Sequence, residues 1–103
     1  MVAKSHKASI LVAEDEESLR EGLKLNLELE GYEVTTIDNG PGVIKMVKNE
    51  YFDLIVLDIM LPEMDGITVC ETIRMQHNDV PILFLSARNS GADRVEGLKK
   101  RRR

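Results

Sequence analysis

A single cysteine, no tryptophan and no long apolar run set the first limits on this chain. Cys70 alone can close neither an internal disulfide nor a cysteine-based metal cluster, so redox and zinc chemistry drop out and a reducing compartment fits. No stretch approaches the ~20 consecutive apolar residues a membrane helix needs, and Met1 to Ser9 lacks the apolar centre of a signal peptide. The expectation is a soluble, cytoplasmic protein without a membrane partner. Internal repeats, linkers and low-complexity segments are also missing, apart from a basic end.

What remains is an ordinary mixture for one small domain: 103 residues, 43% apolar and 31% charged. The buried fraction of surface falls steeply in small domains, so there is room for one core. The net charge of −4 conceals an asymmetry, because the last five residues, Lys99 to Arg103, are all basic. Without them, nine Lys/Arg stand against 18 Asp/Glu. The body, residues 1–98, is therefore strongly acidic and a poor match for nucleic acid, which is not expected as a partner. The tail 99–103 is set apart, since five charges without a supporting fold specify nothing.

Short apolar runs recur at Ile10–Ala13, Leu54–Leu57 and Val80–Leu85, the last interrupted only by Pro81. Continuous β-branched-rich runs of this length suit strands buried on both faces, as in a parallel sheet. Tyr32 to Ile37 mixes in polar residues and suits a sheet edge. Helical patterns alternate with these runs. Leu19, Leu23 and Leu27 share one stripe of a helix over 16–30, with Gly31 at the position of a C-terminal glycine. A second helix is expected from near Pro41 with Val43, Ile44 and Val47 inward, despite an unhelpful Gly42. A third covers 66–76 with Ile67, Cys70 and Ile73 inward, and a fourth begins around Asp93, Val95 and Leu98. The order β-α-β-α-β-α-β-α predicts an open, doubly wound α/β sheet.

Chemistry gathers directly after the apolar runs. The first ends in Glu14-Asp15, the second in Asp58 and the third in Ser86. Open α/β sheets bind ligands outside the carboxyl ends of their strands, so these oxygens are expected to converge in one crevice. Packed carboxylates repel one another unless a cation joins them. A hard divalent ion is the natural partner, and Mg²⁺ takes one or two carboxylates while leaving room for phosphate oxygens. A carboxylate can itself be the nucleophile and form an acyl phosphate.

The runs Ile10-Leu-Val-Ala-Glu-Asp15, Asp53 to Gly66 and Val80 to Arg88 together resemble the receiver domain of two-component response regulators, over nearly the whole chain up to about Leu98. The resemblance implies a CheY-like, flavodoxin-like parallel sheet of strand order 2-1-3-4. It also implies a set of roles. Asp58 matches the phospho-acceptor, Asp15 a direct Mg²⁺ ligand, and Glu14 the neighbouring acid that acts through water. Met60 matches the residue whose backbone carbonyl completes the metal shell, Ser86 the switch hydroxyl, and Ala87 the small residue whose backbone N–H reaches the phosphoryl group. The implied donor is a sensor histidine kinase. Receivers catalyse their own phosphorylation without turning over as stand-alone enzymes. Receivers also continue into a fifth strand bearing a lysine and a fifth helix. Neither is found here, so impaired phosphorylation is expected, and Val80–Leu85 is expected as an exposed edge.

Other readings sit beside this one. The four acids from Glu14 to Glu17 could be a solvated helix start. His6 and His77 read as surface residues, Cys70 as a small packing group, and Met46, Met60, Met64 and Met75 as core or loop packing. An assembly module that self-associates through the Val80–Leu85 edge is the alternative function. A haloacid-dehalogenase-like phosphohydrolase wants an aspartate where Met60 stands. A flavodoxin-like FMN binder wants a hydroxyl-rich or glycine-rich loop where the four acids stand.

Overall fold

The computed structural model describes residues 7–85. Seven elements follow in strict alternation: β1 (Ser9–Ala13), α1 (Glu17–Leu29), β2 (Glu33–Ile37), α2 (Gly40–Asn49), β3 (Leu54–Asp58), α3 (Gly66–Met75) and β4 (Ile82–Leu85). The strands form one parallel sheet in the order β2-β1-β3-β4. The expected doubly wound architecture and strand order are thus observed. The expected fourth helix, from Asp93, and the basic tail lie outside the described residues.

Alternation along the inner strands sorts the core into two layers. Leu11 and Ala13 of β1 and Ile55 and Leu57 of β3 face Val43, Val47, Val69 and Ile73 of α2 and α3, with Phe52, Leu61 and Val80 completing that layer. Ile10, Val12 and Val56 point the other way, toward Leu23 and Leu27 of α1. Both faces of β1 and β3 are therefore apolar, which is why these strands read as unbroken runs. β2 lies at an edge with half-buried residues, as its mixed sequence implies.

Several boundaries and faces differ from the sequence reading, each for a local reason. β4 starts at Ile82 and not Val80, since Pro81 has no N–H to give and its carbonyl instead accepts from Ile55 N at 3.0 Å. α2, by contrast, starts at Gly40, beside Pro41 as expected, and Asn39 Oδ1 accepts the N–H of Gly42 at 2.7 Å. Gly42 is well suited to its place, because a Cβ there would run into the Ile37 side chain. In α3 the inward residues are Gly66, Val69 and Ile73, with Cys70 half-buried against the same core, while Ile67 is exposed. Gly66 sets that rotation, because its close seat at the end of β3 turns positions 66, 69 and 73 inward. Met75, expected in packing, is 78% exposed.

The helix ends explain why α1 and α3 stop. After α1, Gly31 adopts φ 100°, and Tyr32 N and Gly31 N donate to Leu27 O and Glu28 O at 3.1 and 3.0 Å. This is the paired bonding of a Schellman cap. α3 ends in the same way with His77 at φ 62°, as Asn78 N and His77 N donate to Ile73 O and Arg74 O at 3.3 and 2.9 Å.

Candidate functional site

The carboxyl ends of β1 and β3, the two inner strands, lie side by side, and both run out of apolar residues at the same level. β1 pairs with β3 up to Ala13↔Leu57. The next residues are Glu14 and Asp58, which are 1% exposed, and the half-buried Asp15. One carboxylate oxygen from each of Glu14, Asp15 and Asp58 falls within 4.8 Å of the others. The convergence expected of these three acids is observed. So much negative charge with so little access to water is costly without a compensating cation. Oxygen donors of this charge and number fit a hard divalent ion, and fit a soft or thiophilic metal poorly.

Backbone groups hold the acids in place. Glu14 N donates to Ile37 O at 3.0 Å, extending β1–β2 pairing one step beyond the strand. Glu14 Oε2 accepts from Glu16 N at 2.9 Å, and Asp58 Oδ1 accepts from Met60 N at 3.0 Å. Charged acceptors make the stronger kind of hydrogen bond, so the Glu14 and Asp58 carboxylates are oriented as well as placed. Met60 thus stands beside Asp58, with half of its own surface exposed. Beyond it the β3–α3 connection turns sharply, Met64 N donating to Pro62 O at 2.8 Å across Glu63 at φ 72°.

One contact at the site was not anticipated from the sequence. Arg20, in the first turns of α1, donates from Nη1 to Glu14 O at 3.0 Å and to Asp15 O at a longer 3.4 Å. A basic residue one turn into the helix that follows the acids was the available signal. Ser86 and Ala87, the two remaining expected site residues, lie outside the described residues. A groove of about 850 Å³ opens beside the acids, lined by Asp15, Met60, Pro62, Asp65, Thr68 and Glu71 among others. Among the described residues no helix is long and apolar enough to cross a membrane.

A parallel sheet of order 2-1-3-4, wound on both faces and carrying its acids at the carboxyl ends of the inner strands, defines a CheY-like fold of the flavodoxin type. Residues 10–102 match the response regulator receiver domain, and the chain belongs to that family of two-component signalling domains. It is 48% identical over 90 residues to the alkaline phosphatase synthesis transcriptional regulatory protein PhoP of Bacillus subtilis, covering 87% of this chain and 38% of that protein. The chain thus spans well under half the length of this relative. Among solved structures it is similar to the receiver domain of Francisella response regulator 1452, with TM-score 0.77, 31% identity and coverage of 90% of this chain and 77% of that one. It is also similar to response regulator TrrA of Thermotoga maritima, solved in complex with Mg²⁺ and BeF. That match has TM-score 0.74, 39% identity and coverage of 80% of this chain and 71% of that one.

Proposed function

We propose that this chain accepts a phosphoryl group on Asp58 from a phosphohistidine donor, with Mg²⁺ held by Asp15, Asp58 and the Met60 carbonyl and, through water, by Glu14. The observation that carries the reading is the meeting of three carboxylate oxygens within 4.8 Å at the ends of adjacent strands. When bound, Mg²⁺ supplies charge neutralisation on the transferred phosphoryl oxygens. Asp58 is the nucleophile. One of its oxygens bonds to phosphorus as the donor's P–N bond breaks, leaving an acyl phosphate on the protein and returning the electron pair to the histidine nitrogen. The Met60 N–H on Asp58 Oδ1 limits rotation of the carboxylate, so the attacking geometry is set before the donor arrives. The groove beside Met60 and Pro62 leaves an approach for a donor. Ser86 and Ala87 take the roles of switch hydroxyl and phosphoryl-binding N–H in this reading. The physiological donor is a sensor histidine kinase, and the output is a changed surface, with no product released to solution.

Intact-mass spectrometry after incubation with Mg²⁺ and acetyl phosphate tests this. One phosphoryl adduct, lost in Asp58→Asn, is the expected result. A folded, Mg²⁺-binding sample that gains no adduct overturns it.

A second reading, self-association through β4, draws on Leu83. This residue is 55% exposed on a strand that, among the described residues, pairs only with β3. An apolar edge of this kind invites pairing with a second copy. Light scattering that returns the mass of one chain at all concentrations sinks it.

A further inference from the structure

We infer that Arg20 is a positioning residue for the acidic site: its guanidinium fixes the Glu14–Asp15 main chain from behind, so that both carboxylates stay aimed at Asp58. The inference rests on the metal-binding reading above and adds a residue to it.

The turn that carries Glu14 and Asp15 has to leave β1 and enter α1 within three residues. Glu16 stands at the N-cap of that helix in extended conformation. Glu14 N to Ile37 O ties the turn to the sheet, and Glu16 N to Glu14 Oε2 ties it internally. Arg20 adds to these, its Nη1 shared between the carbonyls of the two consecutive residues that bear the site acids, at 3.0 and 3.4 Å. Arg20 is itself anchored, its N–H donating to Glu16 O at 2.9 Å, and its side chain is only 16% exposed. The exposed Glu21 forms a long ion pair with Nε at 3.9 Å, while Nη1 stays on the two carbonyls. A guanidinium suits this task, because its planar fork is rigid and stays charged at any working pH.

Positioning and charge act in opposite directions here, which makes the inference testable by sign. Loss of a nearby positive charge relieves repulsion of an incoming cation and tightens Mg²⁺ binding. Loss of a brace lets the ligands drift and weakens it. Groups behind metal ligands are worth about 10- to 100-fold in affinity, and contact through main-chain carbonyls belongs at the low end, so about tenfold weaker binding is expected.

The test is calorimetric Mg²⁺ titration of the full chain as wild type, Asp15→Asn, Arg20→Met and Arg20→Lys, beside thermal melts without Mg²⁺. The expected result is saturable binding in wild type and its loss in Asp15→Asn. Arg20→Met is expected to bind about tenfold more weakly and Arg20→Lys to fall between, since lysine keeps a donor but not the fork. Unchanged or tighter binding in Arg20→Met, with Asp15→Asn still defective, overturns the positioning role and leaves the metal site standing. A lower melting temperature with unchanged affinity marks a merely structural arginine and also overturns it. Absence of binding in the folded wild type overturns the metal reading and this inference with it. Should Arg20→Met fail to melt cooperatively, Arg20→Gln decides by the same affinity criterion.

Discussion

Gly66 stands against the main chain of Asp58: a Cβ at position 66 would lie 2.5 Å from the Asp58 carbonyl oxygen and 2.9 Å from Ile59 Cα. The start of α3 is thereby pressed onto the end of β3, and Gly66 N closes the contact by donating to Ile59 O at 2.8 Å. Gly66→Ala gains about 1 kcal/mol of helix propensity but forces backbone apart at a cost of about 1–3 kcal/mol or more. A net loss of stability in urea unfolding is expected, together with weaker Mg²⁺ binding as Asp58 is displaced.

The crowding of carboxylates makes stability depend on the cation in a way one substitution reverses. At about 4–5 Å and an effective dielectric near 20, two unit charges repel by roughly 3–4 kcal/mol. Asp58→Asn removes the charge that faces both Glu14 and Asp15 and keeps an amide oxygen to accept from Met60 N, so that a charged hydrogen bond becomes a neutral one. Without Mg²⁺ the variant is expected to be more stable than wild type. With Mg²⁺ at 100 times its dissociation constant wild type gains about 2.7 kcal/mol that the variant does not, which shifts the order back toward wild type. Thermal melts with and without Mg²⁺ read both signs; equal shifts in the two proteins would contradict the account.

At the opposite end of the sheet, Tyr51 Oη donates to Asp53 Oδ1 at 3.1 Å, while Asp53 Oδ2 accepts from Ser9 N at 2.7 Å. The hydrogen bond to Asp53, and then the charge of that carboxylate, hold the Tyr51 phenol above its ordinary value of 10.0. A raised folded-state pKa means that its contribution to stability is complete below pH 10.0 and is lost as pH rises through the folded value. Ultraviolet titration is expected to show a high-pH phenolate step that disappears in Tyr51→Phe and moves down in Asp53→Asn.

His77 caps α3 in a left-handed conformation that Gly31 adopts at no cost after α1. A residue with a Cβ pays roughly 1–2 kcal/mol there. His77→Gly is therefore expected to raise stability by about 1 kcal/mol, the gain being reduced by the extra entropy of glycine in the unfolded chain. Gly31→Ala is expected to lower it by a similar amount, and paired denaturant curves compare the two.

Much of this was legible because parallel strands buried on both faces leave an unmistakable pattern: an apolar run, then abruptly an acid. Ile10–Ala13 followed by Glu14-Asp15, and Leu54–Leu57 followed by Asp58, carried both the fold and the site. Gly31 was readable since only one residue type serves that cap well. The facing of α3 was not, because Ile67, Cys70 and Ile73 make as good a helical stripe as Val69 and Ile73. The choice is made by Gly66 meeting a backbone distant in sequence. His77 and Arg20 escaped for a related reason. The first breaks a local preference under the pull of its cap, and the second acts on carbonyl groups, which no sequence displays.

β1 is made first and lies inside the sheet, with Ile10 opposite both Val34 and Leu54. Its inner neighbour exists only after two crossovers have been completed, so β1 cannot be fully paired until the chain has been synthesised through β3 and drawn back alongside it. The acids at its tip come together through closure of that long loop, a slow and non-local event. Glu14 and Asp15 therefore have no partner in Asp58 in any partly folded form lacking the β1–β3 ladder. A nascent chain cannot present the three carboxylates together before the sheet has closed.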